Sequence, residues 1–225
     1  MNNSGALKVC RLFGIDLQLH YTFLLLVAWL GWRGYASGGI EGGILQISLV
    51  VGVFICVVLH ELGHALSARR YGIPTERILL MPIGGMAQLV NIPRNPRVEM
   101  IITAWGPVVN FILAGLVYGL LQVTDKGINT VTDFFLLQIL YVNLIMGGFN
   151  LLPAFPMDGG RMLRAMLSLR LSYVEATKYA CWVGKLLSGL GILYGALVAE
   201  SFLLSILFAF IYLAGNAEYH AVKNQ

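Results

Sequence analysis

The stretch ILQISLVVGVFICVVLHELGHALSA, residues 44–68, decides the fold. A helix rises 1.5 Å per residue, so about 20 mostly apolar residues cross a bilayer. From Ile44 to Leu59 only Gln46 and Ser48 are polar, and the run then carries His60, Glu61 and His64. Ionisable groups in such a helix cost roughly 2.5–3.5 kcal/mol each on insertion scales and mark functional sites. The stretch therefore predicts a membrane span that ends in chemistry.

The rest of the chain agrees with that reading. Of 225 residues, 58% are hydrophobic and 12% charged. A soluble domain carries about 25% charged residues. Six spans are expected, at about 19–33, 44–68, 98–123, 131–152, 176–198 and 201–217, within one membrane-embedded domain, 1–225. Lys8, Arg11, Arg69, Arg70, Arg77, Arg94, Arg97, Arg161, Arg164, Arg170, Lys178 and Lys223 fall on one side of this stack. Arg33 and Lys126 fall on the other, and Lys185 lies inside the fifth span. Twelve cations against two put both termini in the cytoplasm of a multi-pass cell-membrane protein. The net charge of +4 is thus explained by topology, and no basic stretch interleaved with aromatics suggests a nucleic-acid partner. Cys10, Cys56 and Cys181 are too few and too scattered for a disulfide framework. The first apolar run lacks a small-residue cleavage site and reads as a retained span.

Two apolar stretches do not read as helix. Residues 72–92 are interrupted by Pro74, Pro82, Gly84 and Gly85 and filled with β-formers, so a short hairpin or re-entrant loop is expected. Such backbone survives at membrane depth only beside a cavity or inside protein. At 150–160, Pro153 and Pro156 must break the fourth helix.

His60 and His64 are four apart and so share one helix face, where two imidazoles reach one metal ion. Glu61 projects about 100° away and can act on water without ligating. Cys56 lies one turn before His60, where a small apolar filler is the ordinary reading. Catalytic zinc usually takes three protein ligands and keeps one open position. His20 and His220 lie at span ends. Asp158 sits where the fourth helix breaks, at the same depth as His64, and is the expected third ligand. An alternative is that it caps the helix that follows.

These residues resemble the site-2 proteases, the intramembrane zinc metalloproteases, in their compact prokaryotic form without an appended regulatory domain. Phe13-Gly14-Ile15 and Leu19-His20-Tyr21-Thr22-Phe23 are similar to the opening of prokaryotic members. His60-Glu61-Leu62-Gly63-His64, Gly84-Gly85, Gly106-Pro107-Val108-Val109-Asn110, Asn150-Leu151-Leu152-Pro153 and Pro156-Met157-Asp158-Gly159-Gly160-Arg161 follow in order. The resemblance implies one catalytic Zn2+ held by His60, His64 and Asp158, with Glu61 as general base. It implies that Asn150 holds substrate or the developing oxyanion, and that the strand near Gly84 and Gly85 pairs with an unwound substrate. The implied substrates are membrane proteins with a transmembrane segment. Asn110 reads as helix packing beside Gly106.

Three rivals differ in a checkable way. A proteolytically inactive member that binds membrane partners would tolerate loss of Glu61, which is intact here. A metal-dependent transporter also uses broken helices and buried polar residues. A different membrane metalloprotease would take its third ligand from Glu99 or Glu175.

Overall fold

The computed structural model describes residues 5–82, 84–89, 94–123 and 131–224. The expected loop carrying Asp125 and Lys126 lies outside the described residues, as do residues 83 and 90–92 of the expected hairpin. In chain order the elements are β1 (Ala6–Leu12), β2 (Ile15–His20), α1 (Tyr21–Arg70), β3 (Thr75–Met81), β4 (Gly84–Leu89), α2 (Pro96–Val123), α3 (Val131–Asn150), α4 (Asp158–Leu167), α5 (Tyr173–Leu197) and α6 (Phe202–Lys223). The protein is mostly helical, and α1, α2, α3, α5 and α6 are long and apolar enough to cross a membrane.

The stretches expected as first and second spans both fall within α1. Its helical geometry breaks at Gly38 (φ −145°, ψ 22°) and Gly39 (φ 62°, ψ −152°). The second of these is a left-handed conformation that favours glycine. Eight residues along a straight helix span about 12 Å, yet a Cβ on Gly34 would lie 2.5 Å from the Gly42 carbonyl oxygen. The two arms of α1 therefore fold back on one another, and Gly31, Gly34, Gly42 and Gly43 let them approach.

The expectation of an all-α protein with one short hairpin needs correction. The hairpin is there as β3 and β4, but it belongs to a four-stranded sheet in the order β1-β2-β3-β4. β1 and β2 are antiparallel, β2 and β3 parallel, β3 and β4 antiparallel. β1 and β2 turn at Phe13 (φ 50°) and Gly14 (φ 85°), a two-residue connection with both φ values positive. Arg77 ties three strands together, donating to Gln88 Oε1 at 2.6 Å and Gln18 Oε1 at 3.1 Å. One face of the sheet packs on the second arm of α1 through Ile15, Ile78 and Leu80 against Val57, Val58, Leu62 and Ala65.

The chain divides into two compact units, residues 1–91 with 108–147, and 92–107 with 148–225. The sheet, α1 and most of α3 lie in the first. In the second, α5 and α6 pack closely where Gly191 meets Phe208 and Gly195 meets Ser205. Pro153 and Pro156 do end α3, and residues 151–157 run as turns into α4. The second unit also buries a charged cluster. Arg164, 3% exposed, donates to Glu99 on α2 and to Glu218 on α6, and its guanidinium lies over the Phe155 and Tyr173 rings.

Replacing one partner of a buried ion pair strands the other's charge. Arg164→Leu is expected to lower unfolding stability by about 3–5 kcal/mol, read from denaturant or thermal unfolding in detergent.

Candidate metal centre

The second arm of α1 carries His60 and His64, both buried. Their Nε2 atoms are 3.2 Å apart. Tetrahedral zinc with Zn–N bonds of 2.0–2.1 Å separates two ligand nitrogens by about 3.3–3.4 Å. The helix thus sets the bite of a metal chelate from its own i, i+4 spacing. The donor set, two aromatic nitrogens in an apolar helix, suits a borderline-soft divalent cation such as zinc.

Glu61, one residue on, turns away from this pair toward the sheet. Its Oε2 accepts a 2.9 Å hydrogen bond from the Ala87 N–H of β4. Gly85 is why the strand comes this close. A Cβ there would lie 2.8 Å from Val57 Cγ1 and 2.9 Å from Glu61 Cγ. Gly84 has a different reason, a φ of 137° at the hairpin turn. The structure therefore brings β4 against Glu61. Among the described residues β4 is also an edge strand, with β3 as its one sheet neighbour.

Behind His60 lies a set of amides. His60 Nδ1 is 2.5 Å from Asn110 Oδ1, Asn110 Nδ2 donates to Asn143 Oδ1 at 2.9 Å, and Asn143 Nδ2 donates to the Ile139 carbonyl at 2.9 Å. Both asparagines are 0% exposed. Gly147 lets α2 and α3 approach here, since a Cβ on it would sit 3.2 Å from Asn110 Cβ. The packing reading of Asn110 thus missed its bond to a candidate ligand. Asn143 was not singled out at all. The signal for it was an amide inside an apolar span, which must find partners. Cys56 contributes to the same set, its Sγ 3.1 Å from Asn143 Nδ2.

Asp158 is buried and opens α4 in the second unit. The residue in the capping position is Met157, so Asp158 is not the helix cap. Asn150 is the half-buried last residue of α3. The rival third ligands have other duties. Glu99 accepts from Arg164, and Glu175 forms a capping box with Ser172 at the start of α5. His20 caps α1 by accepting from the Thr22 N–H, and His220 lies in the last turn of α6.

The family model for peptidase family M50 matches residues 48–128 and 123–190. The chain belongs to peptidase family M50. It is 38% identical over 97% of its length to a zinc metalloprotease of Methanocaldococcus jannaschii, covering 62% of that protein. It is 28% identical over 71% of its length to stage IV sporulation protein FB of Bacillus subtilis, covering 51% of it. The chain thus spans less than two thirds of these curated relatives. Among solved structures it is similar to the site-2 protease from Methanocaldococcus jannaschii, with a TM-score of 0.66, 36% identity and 95% of both chains covered. The family resemblance read from the motifs is borne out.

The contacts of Gly85 distinguish a filled position from an open one. Gly85→Val forces side chains into Val57 and Glu61 and should cost about 1–3 kcal/mol. Gly119→Ala on α2, with nothing among the described residues within 4 Å of the added carbon, should be neutral or stabilise by up to about 1 kcal/mol. Paired unfolding curves in detergent measure both.

Proposed function

We propose that this M50 family member is an intramembrane zinc metalloprotease that hydrolyses peptide bonds within the transmembrane segments of other membrane proteins. The observation that carries the reading is the 3.2 Å separation of His60 and His64 Nε2 inside an apolar helix. It fits a chelated divalent cation, and the zinc metalloprotease among the relatives supports zinc.

His60, His64 and Asp158 would hold the ion. Each offers one ligand atom and each is buried. A cation bound there supplies Lewis acidity toward the substrate carbonyl and toward water. Glu61 takes the proton from the attacking water on a carboxylate oxygen and delivers it to the nitrogen of the leaving amine. Asn150 donates an amide N–H to the negative charge that develops on the carbonyl oxygen.

The substrate must be unwound first, because a helix keeps its carbonyls inside the hydrogen-bond ladder. The free edge of β4 suits an extended segment, whose backbone groups it can satisfy by strand addition. Gly84 and Gly85 keep that edge low beside Glu61. The two arms of α1 each cross the bilayer in this reading, which makes six spans. The distribution of Lys and Arg supports cytoplasmic termini.

The test is cleavage of a purified single-span substrate in detergent or liposomes, with the cut mapped by mass spectrometry. A cut within the apolar segment is expected, abolished by a chelator and restored by zinc. Glu61→Gln should keep zinc and lose about 10²–10⁴-fold in rate. Wild-type cleavage by Glu61→Gln would remove Glu61 from its role. Cuts confined to flanking loops would remove the intramembrane part.

A further inference from the structure

The amides behind His60 have a direction, and that direction decides which of its ring nitrogens carries the proton. It can be read from one end. The Ile139 carbonyl only accepts hydrogen bonds, and it has two lone pairs. The Asn143 atom 2.9 Å from it must therefore be the amide nitrogen. The second hydrogen of that nitrogen points to Cys56 Sγ. Asn143 then has its oxygen left for Asn110, so the Asn110 atom facing it must be Nδ2. Asn110 in turn has its oxygen toward His60 Nδ1, at 2.5 Å. An amide oxygen accepts and does not donate. His60 Nδ1 must therefore carry hydrogen.

We infer that Asn110 and Asn143 are positioning residues that hold a hydrogen on His60 Nδ1 and so assign Nε2, which faces His64 Nε2 at 3.2 Å, as the nitrogen that would ligate a metal ion. The inference rests on the metal reading above for its purpose and on the hydrogen bonds alone for its direction. Neutral imidazole places its proton on either nitrogen, and the partner of one nitrogen decides the state of the other. With the opposite tautomer, a hydrogen would occupy the position from which Nε2 ligates. Metal-binding histidines usually hold their second nitrogen against a carboxylate, a carbonyl or water. Here the partner is a neutral side-chain amide whose own orientation is set by a backbone carbonyl two bonds further on.

Burial makes the device rigid. Asn110 and Asn143 are 0% exposed, so no water competes to turn either amide over. A flip of Asn143 would set its oxygen against the Ile139 carbonyl. A flip of Asn110 would set its amide hydrogens against His60. In an apolar helix bundle either mismatch leaves buried polar groups unpaired, which disfavours the flipped arrangement. The chain of bonds also spans three helices, α1, α2 and α3. His60 is thereby held at a set angle, with Nδ1 turned to its acceptor.

The experiment begins with zinc-free wild-type protein, with His20 and His220 replaced by Gln and the remaining histidines labelled with 15N. Ring nitrogen shifts should show Nδ1 protonated at His60. A bare Nδ1 would overturn the inference without touching the metal reading, because no metal is present. Zinc affinity is then measured by chelator competition. Asn110→Leu should weaken it about 10–100-fold. Asn110→Asp keeps an acceptor for Nδ1–H and should recover most of that loss. A packing role would order the variants the other way, with the apolar Leu tolerated and the charged Asp damaging, and that order would also overturn the inference. Failure of the wild type to bind zinc at all would sink the metal reading while leaving the tautomer result standing.

Discussion

Polar groups buried in an apolar helix have to be satisfied from within the protein, and the centre of this molecule is built to meet that requirement. His60 and His64 place two imidazoles in a helix otherwise rich in Val, Ile and Leu. Hydrocarbon around such a helix offers no partner to an unpaired nitrogen. One nitrogen of His60 is answered by Asn110, and the Nε2 atoms of both rings are turned on one another at a metal-binding separation. Each partner then needs a partner of its own, which draws in Asn143, Cys56 and finally the backbone of α3. The need ends at a carbonyl that is already part of a helix ladder and has a spare lone pair.

The same requirement explains the positions of the glycines that matter. A network of short side chains works only where helices approach closely. Gly147 opens that approach between α2 and α3, and Gly52 does so where α1 meets Phe135 and Ile139 of α3. Gly85 brings β4 against Glu61, so that a backbone N–H rather than solvent meets the carboxylate. In each case the absence of one carbon moves a polar group into range. The second unit solves its own burial problem differently, with full charges. Arg164 sits among Glu99, Glu218 and two aromatic rings, an arrangement that anchors α4 to α2 and α6 without joining the chemistry.

The sheet has a structural logic that composition obscures. β1 and β2 form a hairpin, and β2 lies parallel to β3 although the whole of α1 separates them in sequence. That crossover places the sheet against the arm of α1 that carries the histidines. β4 is then left as an edge beside Glu61. An exposed strand edge is ordinarily a hazard in a water-soluble protein. In the function proposed above, that edge would offer a backbone template for a substrate held extended.

Sequence alone determined the helical, membrane-spanning character, because hydrocarbon imposes a length and a polarity that any span must show locally. It also determined His60, Glu61 and His64 as one chemical unit, because i, i+4 spacing on a helix is a local geometry. The breaks at Pro153 and Pro156 were legible for the same reason. The β1–β2 strands were not, since residues 6–20 are short and mixed in polarity and their hairpin joins a larger sheet only when β3 arrives from beyond α1. The turn-back between residues 33 and 44 was legible as a loop joining two spans, but its form was not: a break at Gly38 and Gly39 with helix on both sides. The work of Asn110 and Asn143 was hidden most completely. An amide in a span declares that it needs a partner, but which partner depends on the crossing of three helices, and only the tertiary structure decides that Asn110 faces a histidine instead of another helix backbone.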